Sequence, residues 1–443
     1  MAKISILERF LSPADSVNTP SAGVSQTQHL RRNFLFNTLH QLTLYFGDSF
    51  AAYQTILPVF AATLTNSPVL IGLVPAIVDA GWYLPQMFFA PVLERLPRRK
   101  PVVLIAGVIE RLPYLLIALL AGWLSQQREG VGIGVFLFLL SWKALTGGFA
   151  GLAWQDFIAK VIPGWLRGRF FGVSHFGGKL FGLAAASITG VILARMPYPR
   201  NYSLIFLLAF IGLSLSLVFF ALTKETDGLP VPARQSGDPR YWSHICERIR
   251  GILSRDANFS RYLVSRGLSY LGGMANGFMA LYALRTFHLP DSAAAVFTTI
   301  LLAGTTASMP MWGWLRDRLG SKLILVMSSL LMGVSLAVLI FWREPAGVYL
   351  AFAFFGIAFP GNLIADMNLP MEFEEGPMRP MYIGMSRTLT APLLLAAPLI
   401  GGVIIEAGGY IPVFIVSLLF GGLGLALLIL GVKDPHSSQS SVG

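Results

Sequence analysis

The stretch 313–322 reads GWLRDRLGSK and sets four charged residues between two long apolar runs. A similar interruption, APVLERLPRRK, stands at 90–100. Aligned without gaps, Ala90, Glu94, Arg95, Pro97 and Arg99 fall on Gly313, Asp317, Arg318, Gly320 and Lys322, and Glu94 precedes Asp317 by 223 residues. A chain that breaks twice in this way reads as two copies of one plan.

The apolar runs set the class. Of 443 residues 54% are hydrophobic and 12% charged, with mean hydropathy +0.64, whereas a soluble domain carries about 25% charged residues. A membrane-crossing helix needs about 20 mostly apolar residues. Twelve such spans are expected, at 33–61, 68–93, 101–124, 131–158, 169–194, 200–222, 261–286, 292–315, 322–342, 346–370, 381–406 and 409–432. The expectation is an all-α membrane protein, twelve transmembrane helices in two six-helix pseudo-symmetric bundles. Residues 1–32 form an N-terminal tail with no removable signal peptide. Bundles at 33–222 and 261–432 flank a linker at 223–260, and a tail follows at 433–443.

Orientation follows from Lys and Arg in the connections. With the N-terminus inside, the inner segments hold 24 of them and the outer loops five, Arg128, Arg195, Arg200, Arg285 and Arg343. Both termini are therefore expected in the cytoplasm, in the cell membrane. The net charge of +11 marks this asymmetry and not a nucleic-acid partner. In the linker, Trp242, Ile245, Ile249, Ile252 and Leu253 share one helical face. This reads as an amphipathic helix on the membrane surface or one packed on the protein's own inner face. The lone cysteine, Cys246, excludes an internal disulfide.

A second pair supports the repeat. DFIAKVIPGWLRGRFFGVSH at 156–175 parallels DMNLPMEFEEGPMRPMYIGMSR at 366–387, each with an acid ending one span, Asp156 or Asp366, and a base opening the next, Arg169 or Arg379. The pattern G-x-L-x-D-R-x-G-x-K, carried by Gly313, Leu315, Asp317, Arg318, Gly320 and Lys322, resembles the signature loop of the major facilitator superfamily. The first copy departs from it at Ala90, Val92, Glu94 and Pro97 but keeps basic Arg95, Arg98 and Arg99. The resemblance implies two parallel six-helix halves and transport by alternating access, with the first, fourth, seventh and tenth spans lining a central cavity. The G-x-x-x-G-P-x-x-G-G pattern of drug-exporting branches is absent from the fifth span, and only a fragment, Pro398 with Gly401 and Gly402, occurs in the eleventh. The acid of each signature loop faces helix N-termini of the other half, where partial positive charge gathers. It is expected to latch the inner side, with Asp156 and Asp366 as gate partners of the basic loops or as structural ion pairs.

Charges inside the membrane are costly and face a cavity or a partner. The candidates are Asp48, Asp79, Glu110, Arg111, Lys143 and Lys179, all in the first half. Asn37, Gln41, Tyr45 and Asp48 form one polar stripe along the first span. An Asp48–Lys143 pair across the cavity has three open roles: anion binding, proton release or a structural ion pair. Asp79 and Lys179 read either as functional or as a pair that orients helices. Glu110 and Arg111 point about 100° apart on a helix, so each is expected to find its partner elsewhere.

No H-E-x-x-H or G-x-S-x-G occurs, and GVSHFGGKL at 172–180 lacks the register of a phosphate loop. No enzyme, metal or cofactor is expected. The expectation is a monomeric, proton-coupled secondary transporter of a small molecule, with Asp48 as the proton carrier. Its alternatives are an uncoupled facilitative carrier and a non-transporting sensor or scaffold.

Overall fold

A computed structural model describes residues 29–94, 96, 98–128, 130–225, 241–374 and 379–434. Arg95, and the side chains of Glu94, Trp242, Ile245, Cys246 and Arg379, lie outside the described part. The described chain is helical: α1 (Leu30–Phe50), α2 (Ile56–Leu64), α3 (Pro68–Glu94), α4 (Lys100–Leu124), α5 (Val131–Val161), α6 (Gly164–Arg195), α7 (Arg200–Ala221), α8 (Tyr241–Arg255), α9 (Ala257–Gly272), α10 (Met279–Thr286), α11 (Ser292–Phe341), α12 (Pro345–Glu372), α13 (Arg379–Gly408) and α14 (Tyr410–Gly431). Eight of these are long and apolar enough to cross a membrane. One of the eight, α11, is two spans joined at Gly320, whose φ of 78° leaves the helical region. Glycine takes that angle without a Cβ clash, and proline, which stands at the matching position 97, cannot.

Two expected spans are broken helices. The first is α1 followed by α2, with residues 51–55 between them. The seventh is α9, a 3-10 turn at Gly273–Phe278, and α10. Gly272, Gly273 and Gly277 weaken helix propensity there. Together with α3 these complete the twelve spans.

The repeat is visible in three dimensions at positions the loop alignment does not reach. Asn33, Phe34 and Gly47 match Asn258, Phe259 and Gly272, each 225 residues later, and Gly212 and Lys224 match Gly421 and Lys433, each 209 later. In the first half Asn33 Nδ2 donates to the Lys224 carbonyl at 2.9 Å and Asn33 Oδ1 accepts from Lys224 N at 2.8 Å. In the second half Asn258 Nδ2 donates to the Lys433 carbonyl at 3.1 Å and its Oδ1 accepts from Lys433 N at 2.7 Å. Each bundle thus ties its first span to the end of its last. Above the ties the same helices touch through glycine: a Cβ on Gly212 would lie 2.8 Å from Gly47 Cα, and one on Gly272 would lie 2.7 Å from Gly421 Cα. Small residues let spanning helices approach at this distance.

The apolar core is divided unequally. At the end away from the basic loops one continuous cluster runs through both bundles, joining Ile71 and Val74 to Phe278, Ala397 and Ile405. At the basic end there are two separate clusters. One gathers Phe34, Phe157, Phe170 and Phe220; the other gathers Phe259, Trp312, Leu369 and Tyr382. Ile249, Ile252 and Leu253 of α8 pack on the second, so this part of the surface helix rests on the protein. Three hydrogen bonds between described residues cross from bundle to bundle: Thr55 with Thr298 at 2.6 Å, Ser67 with Glu406 at 2.7 Å, and Tyr202 with Asp291 at 3.2 Å. All three lie at the end opposite the basic loops. Burial raises the Asp291 carboxyl above its ordinary range, and the bond donated by Tyr202 pulls it back. At the same end a Cβ on Gly72 would meet the Pro398 carbonyl oxygen at 2.5 Å, and one on Gly402 would meet Val69 Cα at 2.6 Å. The Pro398–Gly402 fragment is therefore where α13 presses on α3.

Candidate functional site: a charge cluster in the first bundle

Four helices bring their polar residues together in the first bundle. Lys143 on α5 places Nζ 3.5 Å from Asp48 Oδ1 on α1 and 3.8 Å from Glu110 Oε1 on α4. The same ammonium lies 5.5 Å from the Tyr114 ring centre, within reach of the ring's negative face. Glu110 fits because position 147 is glycine: a Cβ there would sit 2.9 Å from Glu110 Oε1. Asp48 is the accessible member, its side chain 44% exposed against 15% for Lys143 and 13% for Glu110.

Arg111 extends the cluster to α7. Its Nε donates to the Leu213 carbonyl at 2.6 Å, Nη1 to the Gly107 carbonyl at 2.6 Å, and Nη2 to Ser216 Oγ at 3.0 Å. Arg111 Nη1 also reaches Glu110 Oε2 at 3.3 Å. Glu110 and Arg111, each expected to find its partner elsewhere, thus also meet each other. Their Cα–Cβ directions diverge, but both side chains are long enough to meet beyond the helix surface. Each has the outside partner expected of it as well. His40 Nδ1 donates to the Ser216 carbonyl at 2.9 Å. Two carboxylates and two cations are thus held in one network, which lowers the cost of burying any one of them.

The other stripe residues lie outside this network. Tyr45 Oη is 2.6 Å from His175 Nδ1, and the Lys179 ammonium stands 5.7 Å from the Tyr45 ring centre. Gln41 is buried and makes no hydrogen bond among the described residues. Asp79 is partly buried and has neither a hydrogen bond nor an ion pair among them, and Lys179 is not its partner.

Ionisable groups inside the spans are not confined to the first half. Arg266 on α9 is 4% exposed. Its Nη2 donates to Asp366 Oδ2 at 2.6 Å, where Tyr270 Oη also donates at 3.2 Å. By the 225-residue register Arg266 stands where Gln41 does, and Tyr270 where Tyr45 does. The signal was available as an arginine well inside a span with a tyrosine four residues on, one helical turn away.

At the basic end, Asp156 pairs with Arg99, whose backbone N–H donates to Glu225 at 2.7 Å. Glu225 also accepts from Lys100 N at 2.8 Å and so caps the start of α4. Asp317 pairs with its neighbour Arg316 at 3.2 Å, and Arg316 lies 3.6 Å from Glu372. Glu372 in turn accepts from Ser321 at 2.5 Å. Arg318 stacks over Trp314 at 4.1 Å. Gly313 has open space where a side chain would go. Arg98 is exposed and Arg169 half-buried. Among the described residues Asp317 thus bonds within its own loop and makes no hydrogen bond or ion pair with the first bundle. Glu225, Arg316 and Glu372 are basic-end residues that the sequence pattern alone does not single out.

The family model for the Major Facilitator Superfamily matches residues 262–442. The chain has the major facilitator fold. Among solved structures it resembles a D-xylose-proton symporter (TM-score 0.66, 14% identity, covering 92% of this chain and 99% of that one). It also resembles a POT family transporter in complex with 5-aminolevulinic acid (TM-score 0.67, 12% identity, 91% and 95%). A third is a bacterial homolog of the human lysosomal transporter Spinster, inward-facing and unoccupied (TM-score 0.61, 14% identity, 91% and 97%). At such identities the likeness carries the fold alone. No curated protein sequence matches the chain.

Proposed function

We propose that this protein is a proton-coupled secondary transporter that moves a small polar molecule across the cell membrane by alternating access, with the basic loops facing the cytoplasm. The observation that carries the reading is one ammonium, Lys143, shared between two carboxylates on different helices, Asp48 at 3.5 Å and Glu110 at 3.8 Å. When Asp48 takes a proton it loses its hold on Lys143, which can then turn wholly to Glu110. The accessible carboxyl becomes neutral without leaving an unpaired buried charge, a state that would otherwise cost about 3–5 kcal/mol. Release of the proton restores the Asp48–Lys143 pair. Coupling follows if substrate binds only one of the two arrangements.

The test is uptake into proteoliposomes under an imposed pH gradient, using a panel of nucleosides, xylose and short peptides. Wild type should accumulate one class only with the gradient present. Asp48→Asn keeps the size but cannot cycle a proton, so it should lose accumulation while exchange of internal for external substrate survives. Gradient-independent flux would mean an uncoupled carrier, and no flux for any class would overturn transport of these solutes.

A further inference from the structure

A lipid-facing groove separates α4 from α7 at their basic ends. It encloses about 310 Å³ and is lined by Leu104, Val108 and Leu112 of α4 and Phe210, Leu217 and Val218 of α7. The α4 residues repeat every four positions and so form one strip. The two helices run antiparallel, α4 starting at Lys100 and α7 ending at Ala221. The groove therefore opens toward the basic end. Val108 and Val218 are more than half exposed on this face. Arg111 also lines it, but its guanidinium turns inward to the bonds described above.

Two cations sit on the end of α7, where Ala221 is the last residue of the groove's lining. Arg32 Nε donates to the Leu222 carbonyl at 2.8 Å, and Lys100 Nζ donates to the Ala221 and Thr223 carbonyls at 2.8 and 2.7 Å. Both are thus gathered on the last turn of α7, with exposed Lys224 beside them. Arg32 keeps both terminal amino groups unbonded among the described residues. Glu225, an acid close by among the described residues, is turned away: its side chain is 4% exposed, bonds the backbone N–H groups of Arg99 and Lys100 and lies 3.7 Å from the Lys160 ammonium. Capping the negative end of α7 accounts for one cation here. It does not account for two held against each other over an apolar groove.

We propose that this groove binds an anionic phospholipid of the leaflet on the basic-loop side, with its phosphate at Arg32 and Lys100 and one acyl chain along the Leu104–Val108–Leu112 strip. Charge complementarity selects the occupant. A phosphate would bridge two like charges and take donors that the protein leaves unused, at the depth where lipid headgroups lie. Basic pockets between spanning helices are the usual seat of such headgroups. The proposal rests on the membrane fold and is independent of what is transported.

The test uses the full chain purified in detergent. Lipid retained by the protein is measured by mass spectrometry after addition of dioleoyl phosphatidylglycerol, dioleoyl phosphatidylcholine or inorganic phosphate. Wild type should retain the glycerol lipid over the choline lipid. Arg32→Gln and Lys100→Gln should each lower that preference about fivefold. Arg343→Gln, at the opposite end, should leave it unchanged. A photoreactive side chain replacing Val108 should crosslink to lipid in wild-type background and less in Arg32→Gln/Lys100→Gln. An unchanged preference in the double variant would overturn the proposal. So would equal thermal stabilisation by inorganic phosphate alone, or crosslinks from position 108 to the chain's own N-terminal segment.

Discussion

The two ends of the molecule hold their bundles in opposite ways. At the end away from the basic loops, one apolar core runs across the interface, glycines bring α3 and α13 into backbone contact, and three hydrogen bonds cross over. At the basic end the cores are separate, and among the described residues these ion pairs lie inside one bundle: Arg99 with Asp156, Arg266 with Asp366, Arg316 with Glu372. The difference shows what each chemistry does here. Apolar contact, small residues and single neutral hydrogen bonds join the bundles where they meet. Ion pairs tie helices together within each bundle where the two cores are separate. Among the described residues the bundles are therefore joined at one end and have separate cores at the other.

The largest effect should come from breaking an intrabundle ion pair. Asp366→Ala leaves Arg266 buried without its carboxylate, and should cost about 3 kcal/mol of stability, read by thermal unfolding of purified protein. Next is the closed end. Gly402→Leu drives a side chain into the Val69 backbone, an overpacking penalty of about 1–3 kcal/mol that falls on the closed state alone. It should shift the balance about tenfold toward opening at that end, read by accessibility of a cysteine placed at Ile71, which is buried in the core shared by the bundles. Thr55→Val removes the bond to Thr298 and should shift the same balance by roughly 1 kcal/mol, several-fold. The smallest effect on stability should be Asp317→Asn. In this state the Asp317 side chain is 72% exposed and, among the described residues, pairs with Arg316 alone, so the loss should be about 0–1 kcal/mol. If Asp317 latches the basic end in the alternate state, the same variant should still favour the state seen here. A variant that destabilises the protein strongly would show that Asp317 holds its own bundle together.

Much of this was legible in the sequence. Hydropathy and the Lys/Arg distribution give twelve spans, because a bilayer imposes a length and a polarity that composition reports directly. The Asp48–Lys143 pair was legible for a related reason: few charges are tolerated in a span, so each stands out. What escaped was longer in range. The Asn33–Lys224 and Asn258–Lys433 ties join residues 191 and 175 apart, through an ordinary Asn and Lys at span ends. Glu110 meeting Arg111 depends on rotamers that helix geometry alone does not fix. The glycine pairs became legible only when the partner helix was known, because a missing side chain has meaning only against what fills the gap. The broken first and seventh spans read as continuous, since an apolar run does not report a loss of helical bonds inside it.

The central claim is that the two ends alternate. Spin labels answer it in a Cys246→Ser background: Ala159→Cys with Met371→Cys at the basic end, and Arg128→Cys with Glu344→Cys at the opposite end. Distances are measured in wild type and in Gly402→Leu. The account predicts a long basic-end and a short opposite-end distance in wild type, with populations exchanging in Gly402→Leu so that one distance shortens as the other lengthens. Both distances lengthening together, or neither changing in a folded variant, would contradict it.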